Sequence, residues 1–200
     1  MPERLLDVVT AGPQTTVQDL GRPGYAHLGV PRSGALDEPA HRLANRLAGN
    51  PEAAATLECL LGGLALRTSH AVTFAVAGAR AAVRVNGRAA TWGTAVSVPA
   101  GALVEVGRVT SGLRAYVAVA GGVKVTEVLG SRSTDLLSGL GPAVLVDGEV
   151  LPVGPSPGRP GEGEAIAAGV ADPVLGVRLG PATTGSHRSR WPRSTARRTP

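Results

Sequence analysis

At 200 residues and 43% hydrophobic content, the chain can build one domain, or two small ones, around a real core. Only 2% of its residues are aromatic, so that core must rest on many Ala, Val and Leu contacts rather than on a few rings. The net charge of +5 comes from five arginines between Ala182 and Pro200; the remainder balances at 15 basic and 15 acidic residues, which argues against a nucleic-acid-binding body, and no run of about 18 apolar residues predicts a membrane span.

Met1 to Asp7 is charged from the start and has no apolar signal core, so a cytoplasmic protein is expected. Leu5 to Val9 reads as an opening strand, ended by Gly12-Pro13. Thr15 to Asp37 is broken by Gly and Pro and rich in polar groups, and is predicted to be a long ordered loop of the kind that carries function. Leu36, Ala40, Leu43, Ala44 and Leu47 then recur at three- and four-residue spacing, predicting a helix capped by Asp37 and closed at Gly49. A short helical turn is expected over 52–55. From Thr56 onward, Val-, Ala- and Leu-rich runs alternate with turn residues, predicting strands at 56–61, 64–68, 71–77, 81–85, 95–98, 102–106 and 113–119. Asn86-Gly87 marks a hairpin. Another strand is expected at 144–150, a linker from Pro152 to Glu164, and a last strand at 174–179. Cys59, the only cysteine, excludes an intrachain disulfide and, within Leu57–Leu61, reads as a buried thiol.

Three polar blocks stand out. In Thr15–Tyr25, Gln18, Asp19 and Arg22 place an amide, a carboxylate and a planar guanidinium fork within five positions. In Gly29–Asp37, Gly34 permits a tight turn before the helix; Ser33 lacks a positioned base and reads as a hydrogen-bonding or capping group rather than a nucleophile. In Leu129–Asp135, two serines, a threonine, an arginine and an aspartate follow the Gly121-Gly122 pair. The blocks around Arg22 and Arg132 are candidates to converge on one site. The four histidines, His27, His41, His70 and His187, lack metal-site spacing, and no phosphate-binding loop, dinucleotide fingerprint or biotin-attachment lysine is present; Lys124, the only lysine, lacks a preceding Met.

Taken in order, Thr15–Arg22, Gly29–Asp37, Ala44–Asn50, Arg114–Gly122 and Gly130–Asp135 resemble the biotin-dependent carboxyltransferase family, which includes the C subunit of 5-oxoprolinase, KipA-type proteins and the carboxyltransferase portion of urea amidolyase. The resemblance implies a mainly β fold with a short helical segment near the N-terminus, of the cyclophilin-like β-barrel type. It implies a component of an ATP-dependent 5-oxoprolinase complex that opens 5-oxoproline to glutamate, assembled with a homologous B-type chain and with an A-type chain. ATP would act on the complex, with no cofactor evident on this chain. The alternatives are a carboxyltransferase that moves a carboxyl group from carboxybiotin to urea or a related amide, and a KipA-type non-catalytic binder of a kinase inhibitor. Carried onto the matching motif positions, Arg22, Arg132 and Asp19 form the expected catalytic set, and Gln18, Ser33, Asp37, Asn45, Ser133 and Thr134 the substrate-binding set. No metal ligand and no general base is assigned.

The resemblance runs from Leu5 to about Pro181. Family members continue into further strands, whereas here the composition turns abruptly to Arg, Ser, Thr and Pro. The expectation is therefore a truncated domain over 1–181 and an incomplete barrel, followed by a basic, disordered tail over 182–200 that a frameshift in a GC-rich gene would produce. Missing strands would leave unpaired edges and exposed apolar faces.

Overall fold

Strand β1 (Leu5–Thr10) and strand β2 (Gln14–Gln18) form one bent ribbon, interrupted only by Ala11-Gly12-Pro13. A computed structural model describes residues 4–156, all within one compact unit. The ribbon pairs antiparallel with a second bent ribbon, β3 (Thr56–Leu60) and β4 (Gly62–Thr68), so that β2 lies on β3 and β1 on β4. Both β3 and β4 then pair with a single long strand, β8 (Leu103–Val119). On its other edge β8 pairs along its length with β5 (Val72–Val85), which carries the short strands β6 (Arg88–Ala90) and β7 (Ala95–Val98). Strand β9 (Val150–Pro152) closes the far edge of β1.

Register breaks along the long strands: after Val8 in β1, at Leu61 between β3 and β4, and between Gly78 and Val83 in β5, the last two facing the same stretch of β8 between Val106 and Ala115. Bulges bend the strands and increase their twist, which gives the curled half-barrel. The fold line depends on backbones passing without side chains between them. At Gly62 (φ 76) an added Cβ would stand 2.1 Å from the Gly107 carbonyl oxygen, and at Gly12 2.6 Å from the Gly62 oxygen.

Inside the curl lies the main core, with Leu6, Val8, Leu57, Leu66, Phe74 and Leu151 among its members. Cys59 belongs to it; burial, partly offset by a hydrogen bond with Thr15, pushes its thiol up to about 12, so it is an inert packing group. Helix α1 (Glu38–Ala48) covers part of the outer face, where Ala44, Leu47 and Ala48 pack on Ala75, Ala77, Tyr116 and Ala118. Burial along β5 follows directly. Residues 74–77 are buried on both faces, whereas 79–84 alternate because their outer face meets solvent.

The sequence-based outline holds for the mainly β fold, the α-helix with its Asp37 cap and Gly49 stop, and the Asn86-Gly87 hairpin, whose two residues both have positive φ. It needs correction in four places. Thr15–Gln18 is strand rather than loop: its polar side chains find partners, and β-branched threonine suits the pleat. The runs 71–77 and 81–85 join into β5, and 102–106 and 113–119 into β8, because bulges rather than turns interrupt them. Residues 144–149 are not a strand; they follow the β1–β2 edge through isolated hydrogen bonds such as Leu145 N–H to the Thr15 carbonyl, and pairing begins only at Val150. Leu36 precedes the helix and is exposed, so the buried stripe is His41, Ala44, Asn45, Leu47 and Ala48. The linker expected over 152–164 starts instead as paired backbone, with Pro152 in β9 and Val153 bridged to Val123; its part beyond Ser156, the strand at 174–179 and the tail at 182–200 lie outside the described residues.

Candidate functional site

Just past the end of β2, Asp19 is the point where three loops meet. Its Oδ1 accepts from the Gly21 N–H (2.8 Å), the Ser131 hydroxyl (2.7 Å) and the Ser133 hydroxyl (2.6 Å), and its Oδ2 from the Arg132 N–H (2.6 Å). Its own N–H donates to Ser133 Oγ, and its carbonyl accepts from the Ala35 N–H. Burial works to raise the pKa of this carboxyl, but the donors, Ser133 and Ser131 foremost, prevail and hold it below the ordinary value. Gly21 lets the 32–34 turn lie directly on this strand end, since a Cβ there would stand 2.4 Å from the Arg32 oxygen.

Arg22 is 1% exposed, an unusual burial for a guanidinium. Its Nε donates to the Val128 carbonyl (3.3 Å) and its Nη2 to the Ser133 carbonyl (2.5 Å). Among the described residues its Nη1 has no hydrogen-bond partner, and it stands 3.9 Å from Asp135 Oδ2. Asp135 is itself held below the usual carboxylate range; burial opposes this, but the Ser138 hydroxyl, the Leu137 and Ser138 N–H groups and the Ser33 hydroxyl outweigh it. Two further buried polar atoms lack partners among the described residues: Gln18 Oε1, whose Nε2 bonds the Thr134 carbonyl and Thr16 Oγ1, and Thr134 Oγ1. An amide oxygen, a guanidinium N–H and a hydroxyl thus remain unsatisfied in the segments that Asp19 clamps together.

The structure therefore brings the Arg22 and Arg132 blocks together, but not through both guanidinium groups. Arg132 meets Asp19 with its backbone N–H, while its side chain turns to the Val125 carbonyl (3.0 Å) and to Glu127 (2.6 Å). Ser33, in a left-handed conformation (φ 54), bonds the Asp135 carboxylate, which it helps to hold in its ionised form. Asp37 caps α1 through the Ala40 N–H, as the sequence indicates. Asn45 stands apart from the site: its amide donates to the Glu52 and Ala54 carbonyls and accepts from Asn50, which ties the helix to the end of β8.

Sequence reasoning passed over a second buried polar layer, between α1 and the sheet. His41 Nδ1 lies 2.9 Å from Thr56 Oγ1, and its ring meets Tyr116 edge-on at 6.1 Å. Tyr116 donates to Glu58 (2.7 Å) and accepts the Asp37 N–H; Glu58 also accepts from the Leu36 N–H and from Arg114. Burial, opposed by the Asp19 carboxylate, pushes the His41 pKa below its ordinary value, so the ring is neutral near pH 7. The signal for this layer was the His41–Asn45 spacing, which puts two polar groups on the helix face that also carries Ala44 and Leu47. No cluster of His, Cys, Asp and Glu able to hold a metal occurs among the described residues.

Fold and site together define a curled β half-barrel with one covering helix and a buried arginine–carboxylate–serine knot where the strands end. The chain belongs to the family described as carboxyltransferase domain, subdomain A and B, whose model matches residues 28–193. It is 42% identical over 155 residues to the C subunit of 5-oxoprolinase from Escherichia coli, covering 76% of this chain and 50% of that protein. It is 38% identical over 149 residues to urea amidolyase of Lachancea kluyveri, covering 74% of this chain and 8% of that protein. Among solved structures, TTHA0988 superposes with a TM-score of 0.77 at 36% identity, over 83% of this chain and 34% of that one. The Kluyveromyces lactis urea amidolyase gives 0.73 at 35%, over 80% and 10%. The chain thus spans half the length of the E. coli relative and a small part of the fungal ones.

Proposed function

We propose that this chain is one component of an ATP-dependent enzyme that opens the cyclic amide of 5-oxoproline to glutamate. The observation that carries this reading is the unsatisfied set of Gln18 Oε1, Arg22 Nη1 and Thr134 Oγ1, in a chain 42% identical to part of a 5-oxoprolinase. A lactam needs an acceptor for its N–H and donors for its carbonyl oxygen, where negative charge develops as water adds and the C–N bond breaks. Gln18 Oε1 suits the first role; Arg22 Nη1 and the Thr134 hydroxyl suit the second. Asp19, Ser131 and Ser133 act as positioning residues, because their hydrogen-bonding capacity is spent on holding the loops. ATP is used on partner chains, since this chain carries no phosphate-binding loop.

A second reading, transfer of a carboxyl group from carboxybiotin to urea, is favoured by the identity with urea amidolyases and makes the same demand for amide recognition. The test is ATP-dependent glutamate formation by the full-length protein with its A-type and B-type partner chains. We expect Arg22→Ala to lower kcat by about 100-fold, Arg22→Lys to restore only part of it, and Arg132→Ala to have a smaller effect, because its guanidinium is turned to Glu127. Undiminished turnover by a folded Arg22→Ala protein overturns the site. No 5-oxoproline turnover by the wild type, with carboxylation of urea in its place, overturns the reaction.

A further inference from the structure

Lys124 is the only lysine in the chain; every other Lys or Arg position is arginine. Its backbone is fixed, because its N–H donates to the Pro152 carbonyl (2.8 Å) and the preceding Val123 pairs with Val153. Its side chain is steered too. It lies across Gly154, where an added Cβ would stand 2.6 Å from Lys124 Cε. Among the described residues the ammonium has no ion pair and no hydrogen-bond partner. It stands at an open cleft of about 420 Å³ whose walls include Val125, Val128, Pro142 and Pro152.

The cleft is joined to the candidate site. The carbonyl of Val125 accepts from Arg132 Nε, and that of Val128 from Arg22 Nε, so both arginines brace the segment that forms its wall. Gly141 lines the cleft and also packs on the site: a Cβ there would stand 3.2 Å from Arg22 Nη2. An ammonium unpaired among the described residues, beside aliphatic walls, suits a carboxylate carried on a compact apolar body, whose charge the lysine meets and whose ring the Val and Pro side chains cover. Urea has neither feature; a cyclic amide acid has both.

We propose that the Lys124 cleft binds the carboxylate of a small acid, and that the amide handled next to it is a carboxylated one. The choice of amide rests on the function proposed above; the carboxylate site itself does not. The test is direct binding to the purified full chain by titration calorimetry or NMR, with 5-oxoproline and with 2-pyrrolidinone, the same ring without its carboxylate. We expect 5-oxoproline to bind, Lys124→Ala to weaken it by about tenfold or more, and Lys124→Arg to retain most of it. Pyrrolidinone should bind more weakly than 5-oxoproline and be indifferent to Lys124→Ala. Equal binding of both probes, or 5-oxoproline binding untouched by Lys124→Ala, overturns the cleft. The two proposals fail separately: Lys124-dependent binding without turnover in the assembled complex leaves the cleft standing and removes the reaction, and turnover with an unaltered KM in Lys124→Ala does the reverse.

Discussion

His41 shows how one residue can serve packing and still carry a pH signature. It is fully buried and contacts Thr56 and Tyr116; burial pushes its pKa down, while the nearby Asp19 carboxylate pulls the other way without prevailing. Arg42 also disfavours the charged ring, and Glu38 favours it. A base whose folded pKa lies below its unfolded value is neutral in the fold and takes up a proton more readily when unfolded. Its contribution to stability is therefore complete above the ordinary histidine value of about 6.5 and shrinks as pH falls from there toward the folded pKa. Urea midpoints at pH 7.5 and pH 5.5 should show this as a loss of stability in the wild type. His41→Gln, which keeps a polar group but cannot titrate, should start less stable and lose less over the same interval. An equal loss in both proteins would place the acid sensitivity elsewhere.

At the scale of elements, the fold line of the sheet is the feature on which most else depends. Gly62→Ala puts a methyl group 2.1 Å from the Gly107 oxygen at a residue with φ 76. Backbone on both sides cannot yield, so a loss of about 2–4 kcal/mol is expected in chemical denaturation. Gly87→Ala is the control: it has the same φ of 76 but nothing within 4 Å among the described residues, and should cost only about 1 kcal/mol, the left-handed backbone penalty. Equal costs would mean that the corner relaxes. This line also explains what the sequence could reveal. The helix, its caps and the Asn86-Gly87 hairpin were legible because each is a local signal read from neighbouring residues. The union of 71–77 with 81–85 was not, because Gly78 ends a strand and bulges one with the same composition; only the pairing of β5 with β8 distinguishes them. Polar Thr15–Gln18 looked like a loop for a similar reason: its partners, β3 and the 134–145 segment, lie far along the chain.

Across the whole molecule, the candidate site is a junction between segments more than 100 residues apart, and Asp19 is its pivot. The motif blocks supplied the residue types, and Arg22 and Asp19 did meet the 131–135 block; that Arg132 would arrive by its N–H, with its guanidinium elsewhere, could not be read from a motif. Because four donors converge on one carboxylate, Asp19→Asn leaves at least one donor facing an amide N–H₂ group, and we expect a loss of about 3 kcal/mol. More informative is where the loss appears. The Thr134 N–H bonds the Val17 carbonyl and the Ala35 N–H bonds the Asp19 carbonyl, so neither touches the altered side chain. If Asp19 holds the 20–35 and 128–140 loops as one unit, native-state hydrogen exchange in Asp19→Asn should speed up at both of these amides together, by about tenfold or more, while the β5–β8 amides from Phe74 to Gly78 change only in step with global stability. Faster exchange confined to Gly21 and Arg132, the amides that bond the carboxylate directly, would mean that the two loops are fixed independently. The unsatisfied atoms of Gln18, Arg22 and Thr134 would then owe their arrangement to β2 and the buried guanidinium rather than to the clamp.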